Sequence, residues 1–259
     1  GVALHLVELA RGPEHVGGIA HLVGGQHHAR PGIEARRRDV GQRLRVRILI
    51  VAATSKEIDP FIIKHAFTKN KTSDMLVSKK LAQVRILITG VGMVNTAFFL
   101  GKYLNAHFDL AINAGICGAF KKTIAIGETV CITEEVISEM GAEDGADFIK
   151  HDTLSLGGSN RYLLKSNIKP APLKQLKKVK GITVNTVHGN TRSIKSVVSL
   201  YDPDVESMEG AAFAMACSAH KVNAIELRSI SNRVERRNRS KWNIPLAVKN
   251  LNENLSSLI

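Results

Sequence analysis

Long apolar runs are missing from this chain. None approaches the roughly 20 residues a membrane-crossing helix needs, so no membrane partner is expected. Cysteine is scarce as well. Cys117, Cys131 and Cys217 are odd in number and far apart, and no CxxC pair occurs. That excludes a disulfide framework and the usual structural zinc spacing, and it points to a reducing, cytoplasmic setting. Aromatic residues make up 5% of the 259, so the core must be mostly aliphatic. Acidic residues are outnumbered, giving a formal net charge of +13. Such a surplus suits nucleic acid or an anionic ligand. The basic residues are diffuse, however, and no aromatic-interleaved stripe appears, so no nucleic-acid partner is expected. No cofactor and no metal is expected either.

Lysine is absent from the first 47 residues, which hold eight arginines; the rest of the chain has twenty lysines and eight arginines. Five of the ten histidines also fall in this leader. Residues 1–45 are therefore read as a segment of different origin, poorly ordered and outside the fold. His21, His27 and His28 are read as incidental rather than as a metal site. Residues 46–259 contain no Pro/Gly/Ser linker and read as one domain.

Val46 to Ala53 is a nearly continuous apolar run, as expected of a strand buried on both faces. Thr54-Ser55-Lys56-Glu57 follows, with the Ser/Thr-then-Glu pattern of a helix start. Ile58, Phe61 and Ile62 then recur at helical spacing. Further strands are expected at 83–90, 109–114, 127–136, 181–187, 205–208 and 222–232. Helices are expected from after the 90–95 turn through Leu104, and over 173–179, 191–200, 211–219 and 244–258. Residues 138–172 are the least regular part, and 141–147 reads as a surface or lid loop. The turn Gly90-Val91-Gly92 lacks the third glycine of a dinucleotide fingerprint, since Asn95 stands there. Gly115-Ile116-Cys117-Gly118-Ala119 reads as a second loop able to offer backbone N–H groups. Alternating strands and helices imply an α/β class: a three-layer α/β/α sandwich with a central, mostly parallel, mixed sheet.

The most informative stretch is Val205-Glu206-Ser207-Met208-Glu209-Gly210-Ala211-Ala212-Phe213. It reads as a short strand running into a helix of small residues, with acids at the junction. A carboxylate there costs free energy to bury unless it is paired. Two readings stand. Glu206 or Glu209 is a first-turn acid at a helix dipole, or an acid aimed at a ligand from a strand end.

Taken together, the segments GVGMVNTA, NAGICGAF, GAEDGADF, VNTVHGNT, VESMEGAAF and RSISNRVERRNRSKW, in this order, resemble the purine nucleoside phosphorylase and nucleosidase superfamily. Within it they are most similar to the futalosine hydrolase family of menaquinone biosynthesis. The likeness covers Val46 to the C-terminus. It implies a nucleoside phosphorylase-like fold, a nucleoside substrate, and a homo-oligomer. It places the water-activating acid on Glu57, the ribose-binding Met-Glu pair on Met208 and Glu209, and the last-strand arginine on Arg228. Where methylthioadenosine nucleosidases carry an acid for purine N7, this chain has Asn232. An asparagine amide can donate to O6 or N7 of a 6-oxopurine, and its carbonyl can accept from a ring N–H. That favours hypoxanthine over adenine. Without the resemblance, Asn232 also reads as a turn residue at a strand end.

Cleavage of a ribosyl–purine bond passes through an oxocarbenium-like sugar, and a carboxylate can activate water on the face opposite the leaving base. Glu57 is the candidate. Arg228 would hold the water and keep Glu57 ionised. Glu209 would accept from the ribose hydroxyls and stabilise the developing positive charge. Arg228 and Asn232, four apart, would share one strand face if the strand is regular. Gly115 and Cys117 would border the substrate, and His188 would border the base. Among Arg233, Arg236, Arg237 and Arg239, with Trp242 as ring partner, Arg237 is the candidate for a substrate carboxylate. Related phosphorylases use a Gly and an Arg in the first turn for phosphate; here Glu57 would repel it, so water is the expected nucleophile.

Overall fold

The structure is a computed structural model that describes residues 46–154 and 157–259. The leader expectation and its three histidines lie outside the described residues. In chain order the elements are β1 (Ile48–Ala52), α1 (Ser55–Lys64), β2 (Thr68–Lys69), β3 (Leu76–Val77), β4 (Val84–Ile88), α2 (Met93–Tyr103), β5 (Leu110–Ala119) and β6 (Thr129–Ile137). Then come β7 (Gly141–Asp144), β8 (Asp147–Lys150), α3 (His151–Leu154), β9 (Arg161–Leu163), β10 (Lys177–Thr183) and α4 (Thr191–Tyr201). The chain closes with β11 (Val205–Ser207), α5 (Gly210–His220), β12 (Asn223–Arg233) and α6 (Ile244–Leu258).

The first strand explains the layering. All five residues of β1 are buried, and alternate side chains point to opposite sides. Ile48, Ile50 and Ala52 pack with Ile58 and Phe61 of α1 and with Leu251 and Leu255 of α6. Leu49 and Val51 pack with Leu100 of α2 and with Phe213 and Cys217 of α5. Two helical layers therefore sandwich a central sheet. The sheet order is β11-β10-β6-β12-β5-β1-β4-β3-β2, with β9 added on β6. Pairing is parallel for β4–β1–β5–β12 and for β6–β10–β11, and antiparallel where β12 meets β6. The sheet also curls: β11 pairs with β5 through Val205↔Ala119 and Glu206↔Gly118. Five strands, β5, β12, β6, β10 and β11, thus close into a ring beside the open part of the sheet.

Several expectations need correction. Residues 115–119 are not a loop: β5 runs unbroken to Ala119, paired with β12 as far as Arg233. Their glycines answer close side-chain approach rather than a turn. A Cβ on Gly115 would overlap Arg228 Nη1, and one on Gly118 would lie 2.9 Å from Val234 Cγ2. Residues 141–150 form a hairpin, β7–β8, turned by Gly145 at φ +62°. The basic helix expected over 173–179 is a short 3-10 turn, Ala171–Gln175, followed by β10 from Lys177. There Lys177, Lys178 and Lys180 stay exposed while Val179 and Gly181 are buried. The strand expected at 181–187 ends at Thr183, leaving His188 in a loop.

A further correction bears on the site. The β12 register shifts between Ile230 and Asn232, so Arg228 pairs with Gly115 but Asn232 pairs with Gly118. Four steps along β12 match three along β5. This bulge turns Asn232 to the face opposite Arg228, so the two do not share one side of the strand.

Candidate active site

The turns after β1, β4 and β11 and the far ends of β5 and β12 meet around one cavity of about 330 Å3. Strand ends in an α/β sheet are where ligand sites gather. Glu57, Cys117, His188, Met208, Glu209, Asn232 and Arg237 all border it. Arg228 and Gly115 do not; Arg228 is 1% exposed and Gly115 is buried.

Glu57 serves two structures at once. It stands at the third position of α1, and its Oε2 accepts from the Thr54 backbone N–H at 3.0 Å, closing the helix start. Its Oε1 accepts from the Ile116 N–H of β5 at 3.1 Å. The helix-start reading and the site reading therefore coexist. Burial pushes the Glu57 pKa above the ordinary carboxylate value; Arg228 and the two N–H donors oppose that rise, and the charge of Glu209 adds to it. Arg228 thus acts in the sense expected for that pair, opposing the rise without cancelling it.

Glu209 precedes α5 but makes no side-chain cap to it. It turns away, accepting from the Gly92 N–H at 3.1 Å, with Oε2 3.4 Å from Arg228 Nη1. Gly92 can offer that N–H because it sits at φ +98° in the β4–α2 turn. Arg228 is anchored from behind: its Nε donates to Glu226 Oε1 at 2.8 Å. A Cβ built on Gly115 would overlap Arg228 Nη1, and that same built Cβ would lie 2.9 Å from Glu57 Oε1, so the bare glycine leaves room for both side chains. Burial works against the guanidinium charge, yet Glu226, Glu209 and Glu57 outweigh it and raise the Arg228 pKa above its ordinary value. Nη2 has no protein partner.

At the other side of the cavity, Asn232 Oδ1 accepts from Ser231 Oγ at 2.7 Å, and its Nδ2 donates to Arg233 O at 2.9 Å. One amide N–H and one lone pair remain. His188 donates its backbone N–H to Glu206 Oε1 at 3.1 Å, and its Nδ1 lies 2.7 Å from Glu206 Oε2. Glu206, 4% exposed, is therefore held by that loop rather than by a helix dipole. Arg237 stacks on Trp242, 5.2 Å from the ring centroid. Burial raises the Cys117 thiol pKa well above its ordinary value, so it offers no thiolate. Among the described residues no group of three His, Cys, Asp or Glu could hold a metal ion, and no helix is long and apolar enough to cross a membrane.

The sequence profile of the phosphorylase superfamily matches residues 47–259. The chain belongs to the phosphorylase superfamily. Among other members, a futalosine hydrolase of Thermus thermophilus is 32% identical over 165 residues, covering 60% of this chain and 72% of that one. One from Acidothermus cellulolyticus is 28% identical over 221 residues, covering 82% and 90%. The fold matches a Helicobacter pylori 5'-methylthioadenosine/S-adenosylhomocysteine nucleosidase mutant with 5'-methylthioadenosine in its active site. The TM-score is 0.71 at 17% identity, over 83% of this chain and 98% of that one. It also matches the native futalosine hydrolase of the same organism, at 0.69 and 16%, over 82% and 96%. As in those superfamily members, the chain is a mixed α/β fold around a mixed sheet.

Sequence reasoning missed Glu135 and Glu226, both completely buried. A signal for one was present: Glu226 and Arg228 stand two apart on either side of Leu227, following the apolar Ala224-Ile225, where they must share a face.

Proposed function

We propose that this protein is an N-ribosyl hydrolase that cleaves futalosine to hypoxanthine and dehypoxanthine futalosine. The observation that carries the proposal is the meeting of Glu57 and Glu209 at one cavity with Arg228 between them. The similarity to futalosine hydrolases suggests the substrate; the geometry suggests a route. Glu57 takes a proton from water as its oxygen bonds to the anomeric carbon. The ribosyl–nitrogen bond breaks with its electron pair going to the purine, and solvent returns a proton to the base. A raised pKa brings Glu57 nearer to neutrality, where a general base works best. Glu209 accepts from the ribose hydroxyls and faces the growing positive charge, and Met208 packs on the sugar. Arg228, buried behind the cavity with Nη1 3.4 Å from Glu209, would act through its charge on the two acids. Phosphate would meet two carboxylates at this cavity, which favours water over a phosphorylase reaction. The test is hypoxanthine release from futalosine in phosphate-free buffer; release only on adding phosphate would overturn the proposal.

Asn232 would choose the base. Asn232→Asp is expected to shift the ratio of kcat/KM for inosine-type over adenosine-type substrates by about 10²-fold toward adenosine, the scale of a buried hydrogen-bond mismatch. An unchanged ratio would remove Asn232 from base recognition. Arg237, at the cavity wall beside Trp242, would pair the carboxylate beyond the ribose. Arg237→Ala should raise KM for futalosine by about tenfold and leave that for inosine alone; equal changes would dismiss it. Val91, Val94 and Phe98 form an exposed apolar stripe on and before α2, and Val91 borders the cavity. This supports a homo-oligomer paired beside the site, which sedimentation would check.

A further inference from the structure

Behind the cavity lies a group of acids that the reaction above does not use. Glu135 on β6 and Glu226 on β12 are both 0% exposed. Each has a well-made contact and a vacant oxygen. Glu135 Oε2 accepts from Thr183 Oγ1 at 2.8 Å, and that hydroxyl oxygen accepts from the Ala211 N–H at 2.7 Å. Glu226 Oε1 accepts from Arg228 Nε at 2.8 Å and from Asn113 Nδ2 at 3.2 Å. Glu135 Oε1 and Glu226 Oε2 have no partner at all. The two carboxyl groups crowd one point under the start of α5. A Cβ on Gly210 would overlap Glu135 Oε1 and stand 2.7 Å from Glu226 Oε1. A side chain at that position would drive into both acids, which is why glycine opens this helix.

Counting charge leads to a proton. The ionisable groups facing the pair are Arg228 and Glu209, with Glu57 beyond Arg228 and the thiols of Cys117 on β5, Cys131 on β6 and Cys217 on α5 nearby. One guanidinium therefore faces four carboxyl groups. Three buried negative charges, with a fourth on half-buried Glu57, around one positive charge leave a surplus that the interior cannot hold. A proton on one of the two also relieves the repulsion between carboxyl groups that both crowd the point where a Gly210 Cβ would stand. Of the two, Glu226 has the arginine, so Glu135 is the one that keeps the proton.

We propose that Glu135 and Glu226 share one proton, and that the charge remaining on Glu226 fixes Arg228 between the two cavity acids. Glu226 is thus a positioning residue for the hydrolysis proposed above, on which this role rests. Its grip on Nε leaves Nη1 turned to Glu209 and the Glu57 side, and Nη2 free. Burial first, and then the neighbouring Glu226 charge, push Glu135 well above the ordinary carboxylate range; burial also raises Glu226, against the pull of Arg228.

Infrared spectroscopy of the intact protein at neutral pH reads the proton without substrate. The expected result is a protonated-carboxyl C=O band that Glu135→Gln abolishes. Should that variant not fold, Thr183→Val, which removes the hydroxyl on Oε2, is expected to shift the same band. The raised folded pKa of Glu135 also sets a sign: the folded chain binds the proton more tightly than the unfolded one. Wild-type stability is then lost as pH rises from the ordinary glutamate value through the folded one, and Glu135→Gln should flatten that slope. For positioning, Glu226→Gln is expected to lower kcat at least tenfold with a smaller change in KM. It should also move the acidic limb of kcat/KM to lower pH, because a less neutralised Arg228 stabilises ionised Glu57. Absence of the band overturns the shared proton, and an unmoved pH limb overturns the positioning role. If no base is released from futalosine while the band behaves as described, the substrate reading fails and the proton pair stands.

Discussion

Glu57→Gln is expected to slow release of the purine base by about 10³-fold, within the range of general-base removal. Glutamine matches the shape and keeps a carbonyl oxygen for one of the two N–H donors, Thr54 or Ile116. It cannot take a proton from water. The loss should therefore fall on kcat, with KM changed little, since Glu57 contributes to the barrier more than to holding the nucleoside. The pH dependence follows from the direction of the Glu57 shift. The base must be ionised, so wild-type kcat/KM falls as pH drops through its raised pKa. That acidic limb should lie above the range of an ordinary glutamate and should vanish from the residual activity of the variant. Stability runs the other way. A carboxyl whose folded pKa is raised loses stability as pH rises from the unfolded value through the folded one. The working, ionised form is thus the less stable form, and Glu57→Gln should flatten the dependence. Thermal melts across the same pH series check this; wild-type activity persisting below the ordinary glutamate pKa would dismiss Glu57 as the base.

Glu209→Gln is expected to lower kcat/KM for base release by about 10² to 10³-fold, the scale of removing one electrostatic partner from a transition state. Its signature should differ from that of Glu57. In the proposed mechanism Glu209 both accepts from ribose hydroxyls and faces the developing charge, so KM should rise while kcat falls. A second effect is built in. The Glu209 charge helps to raise the Glu57 pKa, so its removal should move the acidic limb to lower pH. A variant in which only KM changes, with the limb in place, would reduce Glu209 to a binding group.

Much of the scaffold was legible in the chain. β1 announced itself because every residue from Ile48 to Ala52 is apolar, the mark of a strand covered on both faces. α6 was read with the bounds the structure gives, Ile244–Leu258, from the spacing of Leu251 and Leu255. What misled was composition standing in for geometry. Glycines at 115 and 118 read as a loop, yet they are strand positions emptied to let Arg228 and Val234 come close. The lysines of β10 read as a basic helix, because outward-facing charge hid the buried Val179 and Gly181. Asp144-Gly145 was a hairpin signal passed over among acids. The site acids Glu57 and Glu209 stood out through motifs and turns. Glu135 stayed hidden because its burial depends on β10, β12 and α5 meeting around it, and hydropathy counts it as surface.

The one-residue bulge at Ser231 has an evolutionary reading. In the proposed mechanism it puts Arg228 on the side of the two acids and Asn232 on that of the base, by parity alone. The interval between those two positions then fixes which face each side chain takes, whatever the surrounding letters. A homologue whose interval is shortened by a single residue must either lose the kink or carry its base reader on another segment. Aligners that slide a gap through this strand would therefore pair residues of unlike duty, and a change in preferred base could be mistaken for a simple substitution.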